Sequence, residues 1–125
     1  MVRNILIASL FLLPIEANAN PKIERCESIL TAGVYNDVLE NICGFKGGVS
    51  NKLKEAYSRG GCPDLISTNK VYKLASEVSE DTEKRYIAFG EHDFCEKNLD
   101  AYSELSIAFK QGVDILKQNE FKQKK

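Results

Sequence analysis

Apolar residues recur at spacings of three and four along most of this chain, the period of a helix, and no β-branched run of strand character interrupts them. Asn20 and Pro21 stand as N-cap and first residue of a helix whose inner face carries Ile23, Cys26 and Leu30. Gly33 is the expected stop, in the left-handed position that follows a helix. A second stripe follows at Val34, Tyr35, Val38, Leu39, Ile42 and Cys43. After the loop GFKGGV, Ser50 is positioned to cap a third helix bearing Leu53, Ala56 and Tyr57, which Gly60 and Gly61 end.

A fourth helix is expected from about Ser67 to Phe89, with Val71, Leu74, Ala75, Val78, Tyr86 and Phe89 inward. Its middle, SEVSEDTEKR, is polar on most sides, and Glu80–Lys84 and Asp81–Arg85 have the i,i+4 order that supports a helix. Gly90 breaks the chain again, and Asp93 and Glu96 have capping-box spacing. A last helix from Phe94 to about Lys117 then carries Cys95, Leu99, Tyr102, Leu105, Phe109, Val113 and Leu116 on one face. The pattern predicts an all-α fold: a small single-domain helical bundle of about five helices, fastened by two disulfides.

Residues 1–19 change the picture of where the chain goes. Arg3, the apolar run Ile5 to Leu13 and the Ala17-Asn18-Ala19 triplet have the layout of a secretory signal peptide cut after Ala19. The run is shorter than the ~20 residues of a membrane span, and no second run of that length follows, so the mature chain is expected without a transmembrane segment. The expected division is a signal at 1–19, a helical domain at 20–118 and a basic flexible tail at 119–125, where Lys122, Lys124 and Lys125 cluster. Periplasmic or secreted localisation follows, and the A-x-A site suits a bacterial export substrate. The net charge is −1, and Arg3 and Glu16 cancel within the signal, so the mature chain offers no electrostatic case for nucleic acid.

In an oxidising compartment, four cysteines read as two disulfides. Cys26, Cys43, Cys62 and Cys95 include no C-x-x-C, and His92 is the single histidine, so neither a zinc ribbon nor a thioredoxin-type motif is expected. No metal and no cofactor is called for. If the first two helices form a hairpin turning near Gly33, Cys26 and Cys43 lie at matching heights. That favours Cys26–Cys43 with Cys62–Cys95. The fourth helix, if straight, holds the second pair about 30 Å apart. Interlocked bonds, Cys26–Cys62 and Cys43–Cys95, are the alternative.

The loop GFKGGVS lacks the spacing and the preceding strand of a phosphate-binding P-loop, and no lysine directly precedes Ser50. Its glycines read as tight reversals between helices, although the N–H groups at the Ser50 helix start are of the kind that hold an anion. His92 between Glu91 and Asp93 has the residue types of acid–base chemistry, but no nucleophile motif accompanies it, and a solvated helix start accounts for all three. Phe45 and Lys46 sit between glycines, off the helix faces, and Tyr72 falls off its stripe; these three are the expected contact residues.

The reading that follows is a non-enzymatic exported protein that binds another protein, as an inhibitor, immunity or accessory factor. A helical carrier of a small apolar ligand is the alternative, and a cell-wall hydrolase using Glu and His92 comes third. A largest pocket lined by Leu, Phe and Tyr favours the carrier, a cleft joining His92 to a desolvated Glu favours the enzyme, and a filled core with a protruding loop favours the protein binder.

Overall fold

Asn20 opens the fold. In the computed structural model, which describes the backbone of residues 20–123 and the side chains of residues 20–112, its Oδ1 accepts the N–H groups of Lys22 at 3.0 Å and Ile23 at 3.4 Å. Five helices follow among the described residues: α1 (Pro21–Cys43), α2 (Val49–Arg59), α3 (Cys62–Leu65), α4 (Thr68–Phe89) and α5 (Glu91–Gln123). No strand occurs among the described residues. The expected signal segment and the side chains of the basic tail lie outside them.

Helix α1 is the centre, touching all four other helices, and α5 packs on α1, α2 and α4. The main core joins Leu39 of α1, Val49 and Leu53 of α2, and Phe94 and Tyr102 of α5, with Ile29, Tyr35, Phe45, Tyr86 and Phe109 packed against them. A second core lies at the other end of α1, where Cys26, Cys62 and Ile66 are buried beneath Ile23, Tyr57 and Val71. The expected all-α single domain is what forms.

Several expected boundaries are displaced. Gly33 does not end a helix: α1 runs unbroken through it, and the residue is buried where α1 meets α2. A β-carbon there would sit 3.6 Å from the Leu53 Cβ, an ordinary packing contact, so the residue lies inside the α1–α2 interface as an interior position of the helix. The roughly 1 kcal/mol that glycine costs inside a helix is small beside the apolar area that continuous packing buries. The last helix starts two residues before Asp93, at Glu91, with Gly90 ahead of it, so Asp93 lies in the first turn and the anticipated Asp93–Glu96 capping box does not form. Its backbone is helical to Gln123, beyond the expected end near Lys117.

The continuity of α1 decides the disulfides. Seventeen residues of helix hold Cys26 and Cys43 about 25 Å apart, against the ~6 Å between α-carbons that a bond needs. The expected Cys26–Cys43 and Cys62–Cys95 pairing is therefore wrong, and the interlocked pairing forms. Cys26 bonds Cys62 with α-carbons 5.4 Å apart, and Cys43 bonds Cys95 at 5.6 Å. No cysteine is free.

Other local expectations hold. Helix α4 begins next to Ser67, whose Oγ accepts the Lys70 N–H at 3.2 Å, a cap that the sequence pattern left unnamed, and Gly60 follows α2 directly. Of the two expected i,i+4 pairs, Arg85 meets Asp81 at 2.8 Å. The polar middle of α4 nevertheless buries Thr82 completely, its hydroxyl donating to the Val78 carbonyl at 2.6 Å. Returning its hydroxyl to its own helix is what lets a threonine enter the interior there.

Candidate functional site

Three glycines in the α1–α2 loop have three different jobs. Gly44 takes the left-handed conformation (φ 74°) and donates its N–H to the Glu40 carbonyl at 3.1 Å, ending α1. Gly48 turns the chain into α2 with φ 69°. Gly47 lies flat on α5: a β-carbon there would come within 2.8 Å of the Ser106 Oγ and 2.9 Å of the Tyr102 ring. Its N–H donates to the Tyr102 hydroxyl at 2.8 Å, and the Ser106 hydroxyl donates to its carbonyl at 3.3 Å. The loop is clamped along α5 and does not stand away from the body.

Glu40 is the hub of that clamp. Its carboxylate accepts the Tyr102 hydroxyl at 2.6 Å, the Ser50 hydroxyl, and the Ser50 N–H at 3.3 Å. Ser50 was expected to cap α2, but it is the second residue of that helix, buried, and donates to Glu40. The anion held at the start of α2 is thus a side chain of α1. Sequence reasoning missed Glu40, because one glutamate among many carries no local sign of partners 10 and 62 residues away.

Burial pushes the Glu40 carboxyl upward, but the bonds from Ser50 and Tyr102 and from the Ser50 and Val49 N–H groups outweigh it and hold the pKa below the ordinary value. The folded state therefore favours the carboxylate. The stability it contributes is present above the unfolded value of 4.5 and is lost as pH falls through the lower folded value. E40Q is expected to cost about 1–2 kcal/mol at pH 7, with the gap to wild type shrinking below that value. Urea unfolding of both proteins at pH 7 and pH 3 checks it, and a gap that stays constant removes Glu40 from the acid response.

The three expected contact residues are dispersed. Phe45 does not project: it is half-buried against the main core, with its ring centroid 4.9 Å from that of Tyr102. A loop aromatic ring that can reach α5 gains more by stacking on Tyr102 than by standing in water. Lys46 is exposed beside it. Tyr72 is 68 % exposed on α4 but borders neither of the hollows around Phe45.

What surrounds Phe45 and Lys46 is apolar and open. Leu99 is 46 % exposed and Ile107 54 %, both on α5. A hollow of about 280 Å³ lies among Phe45, Lys46, Leu99 and Ile107, and a second of about 460 Å³ among Cys43, Phe45, His92, Cys95 and Leu99. Phe45 and Leu99 border both, so the two hollows form one face, with Lys46 at one end and Glu91 and Glu96 at the other. The sequence pattern placed Leu99 on the inner stripe and left Ile107 unremarked.

His92 stands at the acidic end of this face. Its Nδ1 lies 3.4 Å from Asp93 Oδ1 and 3.5 Å from Glu96 Oε2, with all three side chains largely in water. Three ligand-type atoms thus lie within 4.8 Å of one another, in a geometry that a solvated helix start produces unaided. No desolvated carboxylate faces His92 in its hollow, where Glu91 and Glu96 are exposed. A separate groove of about 400 Å³ runs between α1 and α2, lined by Ile29, Leu30, Gly33, Val34, Leu53 and Tyr57. The Tyr57 hydroxyl is buried without a hydrogen-bond partner, and burial pushes its pKa up.

Comparison with protein-family models, with curated proteins and with solved structures found no match. No helix among the described residues is long and apolar enough to cross a membrane. The two disulfides suit an oxidising environment.

Proposed function

We propose that the protein is exported to the periplasm or medium and acts there, without catalysis, by binding another protein through the Phe45–Leu99–Ile107 face. The observation that carries this reading is the exposure of Leu99 and Ile107 beside a loop whose every polar bond is made to the body. Contiguous apolar surface that folding leaves uncovered marks an interaction site. A rigid loop contributes to affinity because little entropy is lost when it docks. Lys46 and the Glu91–Glu96 pair bound the apolar centre with opposite charges, an arrangement that fixes orientation more than affinity.

The signal-like residues 1–19 and the paired cysteines support export. An inhibitor, immunity or accessory role fits a small, covalently braced chain of this kind. The test is capture of partner from the extracytoplasmic fraction of the native host by wild type and by L99E with I107E. The charged variant is expected to keep its helical circular dichroism and to bind the captured protein at least tenfold more weakly. Equal binding by both removes this face from the reading.

A second reading, a carrier of a small apolar molecule, is favoured by the α1–α2 groove, whose volume of about 400 Å³ falls in the range of ligand sites. Enhanced fluorescence of an apolar dye, displaced by a medium-chain fatty acid and unchanged by L99E with I107E, would support it over the first.

A further inference from the structure

The two disulfides differ in what can reach them, and we infer that Cys43–Cys95 is a thiol–disulfide exchange site for a dithiol reductant, whereas Cys26–Cys62 is inert. Cys26 is 3 % exposed and Cys62 0 %, at the centre of the second core. The crevice beside them, between Lys22, Arg25 and Gly60, holds only about 90 Å³, far less than the hollow beside the other bond. Cys43 and Cys95 pack against the edge of the main core but are only partly buried, and both border the open hollow of about 460 Å³. Exchange requires a thiolate to approach one sulfur directly, so access separates the two bonds by rate.

The surroundings suit a protein dithiol as well as a small one. Phe45 and Leu99 give the hollow an apolar floor beside the bond, and the bond ties the last residue of α1 to the second turn of α5. In the first step the attacking thiolate bonds to one sulfur of the pair. The Cys43–Cys95 bond breaks, and the other sulfur leaves as a thiolate that takes a proton from solvent. The second thiol of the reductant then attacks the mixed disulfide and releases the remaining cysteine. Two electrons pass from the dithiol to the protein, giving two cysteine thiols and one oxidised dithiol. Helices α1, α2 and α3 stay fastened at the far end by Cys26–Cys62, so opening is confined to the region of the α1–α2 loop and the start of α5. The inference stands whether or not that face docks a partner.

Dithiothreitol is the probe. The folded mature protein is exposed to it in native buffer, quenched with acid, alkylated, and mapped by peptide mass spectrometry. Labels on Cys43 and Cys95 are expected to appear at least tenfold faster than on Cys26 and Cys62, before any loss of helical circular dichroism. Glu91 and Glu96 border the hollow and repel an approaching thiolate, so E91Q with E96Q is expected to speed this reduction two- to fivefold at low ionic strength and not at high. Equal rates at the two bonds, earlier opening of Cys26–Cys62, or reduction that only accompanies unfolding would overturn the inference. So would a rate indifferent to the two glutamates, because attack would then occur through a locally unfolded form and not in the hollow.

Discussion

Replacing Cys26 and Cys62 together by alanine is expected to lower unfolding stability by about 4 kcal/mol, from the loop-closure entropy restored to an unfolded chain freed across a separation of 36 residues. Both sulfurs are also buried, so their loss leaves the contacts of Ile23, Tyr57 and Ile66 partly unfilled. Helix α3 is four residues long and cannot persist by propensity alone, so its position depends on this bridge and on Ile66. Domains of this size are stable by only about 5–15 kcal/mol, and the variant should sit near the edge of folding at 37 °C. Urea titration at neutral pH measures it. A loss below 1 kcal/mol would mean that α1 and α3 hold together without the bond.

Phe94→Ala is expected to cost about 3–5 kcal/mol, the range for deleting a buried phenyl ring. Phe94 is 1 % exposed and is the largest fully buried side chain, meeting Tyr86 edge-on with centroids 5.7 Å apart. It shares the main core with Leu39, Val49, Leu53 and Tyr102, so the cavity would open where α1, α2, α4 and α5 converge. Leu99→Ala, five residues further along the same helix, supplies the control: with 46 % of its surface in water, it should cost less than about 1 kcal/mol. Similar losses from both changes would place the core elsewhere along α5.

How far the fold was legible depends on whether the deciding interaction is local. Asn20 and Gly60 were read correctly because a cap satisfies backbone groups two to four residues away. Gly33 was misread because the packing of α1 on α2 around Leu53, twenty residues on, carries the helix through it, and no local pattern reveals that packing. That misreading then carried the disulfides with it, since the hairpin that matched Cys26 with Cys43 needs a break at Gly33. Phe94 escaped the core pattern because the capping-box spacing at Asp93 set the helix start too late. At the candidate site, glycine spacing correctly located a tight loop with Lys46 outward. The direction of Phe45 is set by Tyr102, and the exposure of Leu99 and Ile107 by where the other helices leave α5 uncovered. Neither is written into the residues themselves.

The unbroken length of α1 also governs fidelity in oxidation. Helices form in microseconds and cysteines pair in seconds or longer, so α1 packed on α2 precedes the chemistry. A chain emerging amino end first presents Cys26 and Cys43 before the others, and neighbour-with-neighbour pairing is the natural error. With α1 formed, that error is geometrically barred. Helix α2, about 16 Å long, then carries the chain back along α1 and delivers Cys62 to Cys26 while holding it away from Cys43. Of three pairings available to a flexible chain, two rigid rods leave one. Partner choice is therefore a matter of helix length, and residues inserted into α2 should scramble the bonds of a protein whose four cysteines are untouched.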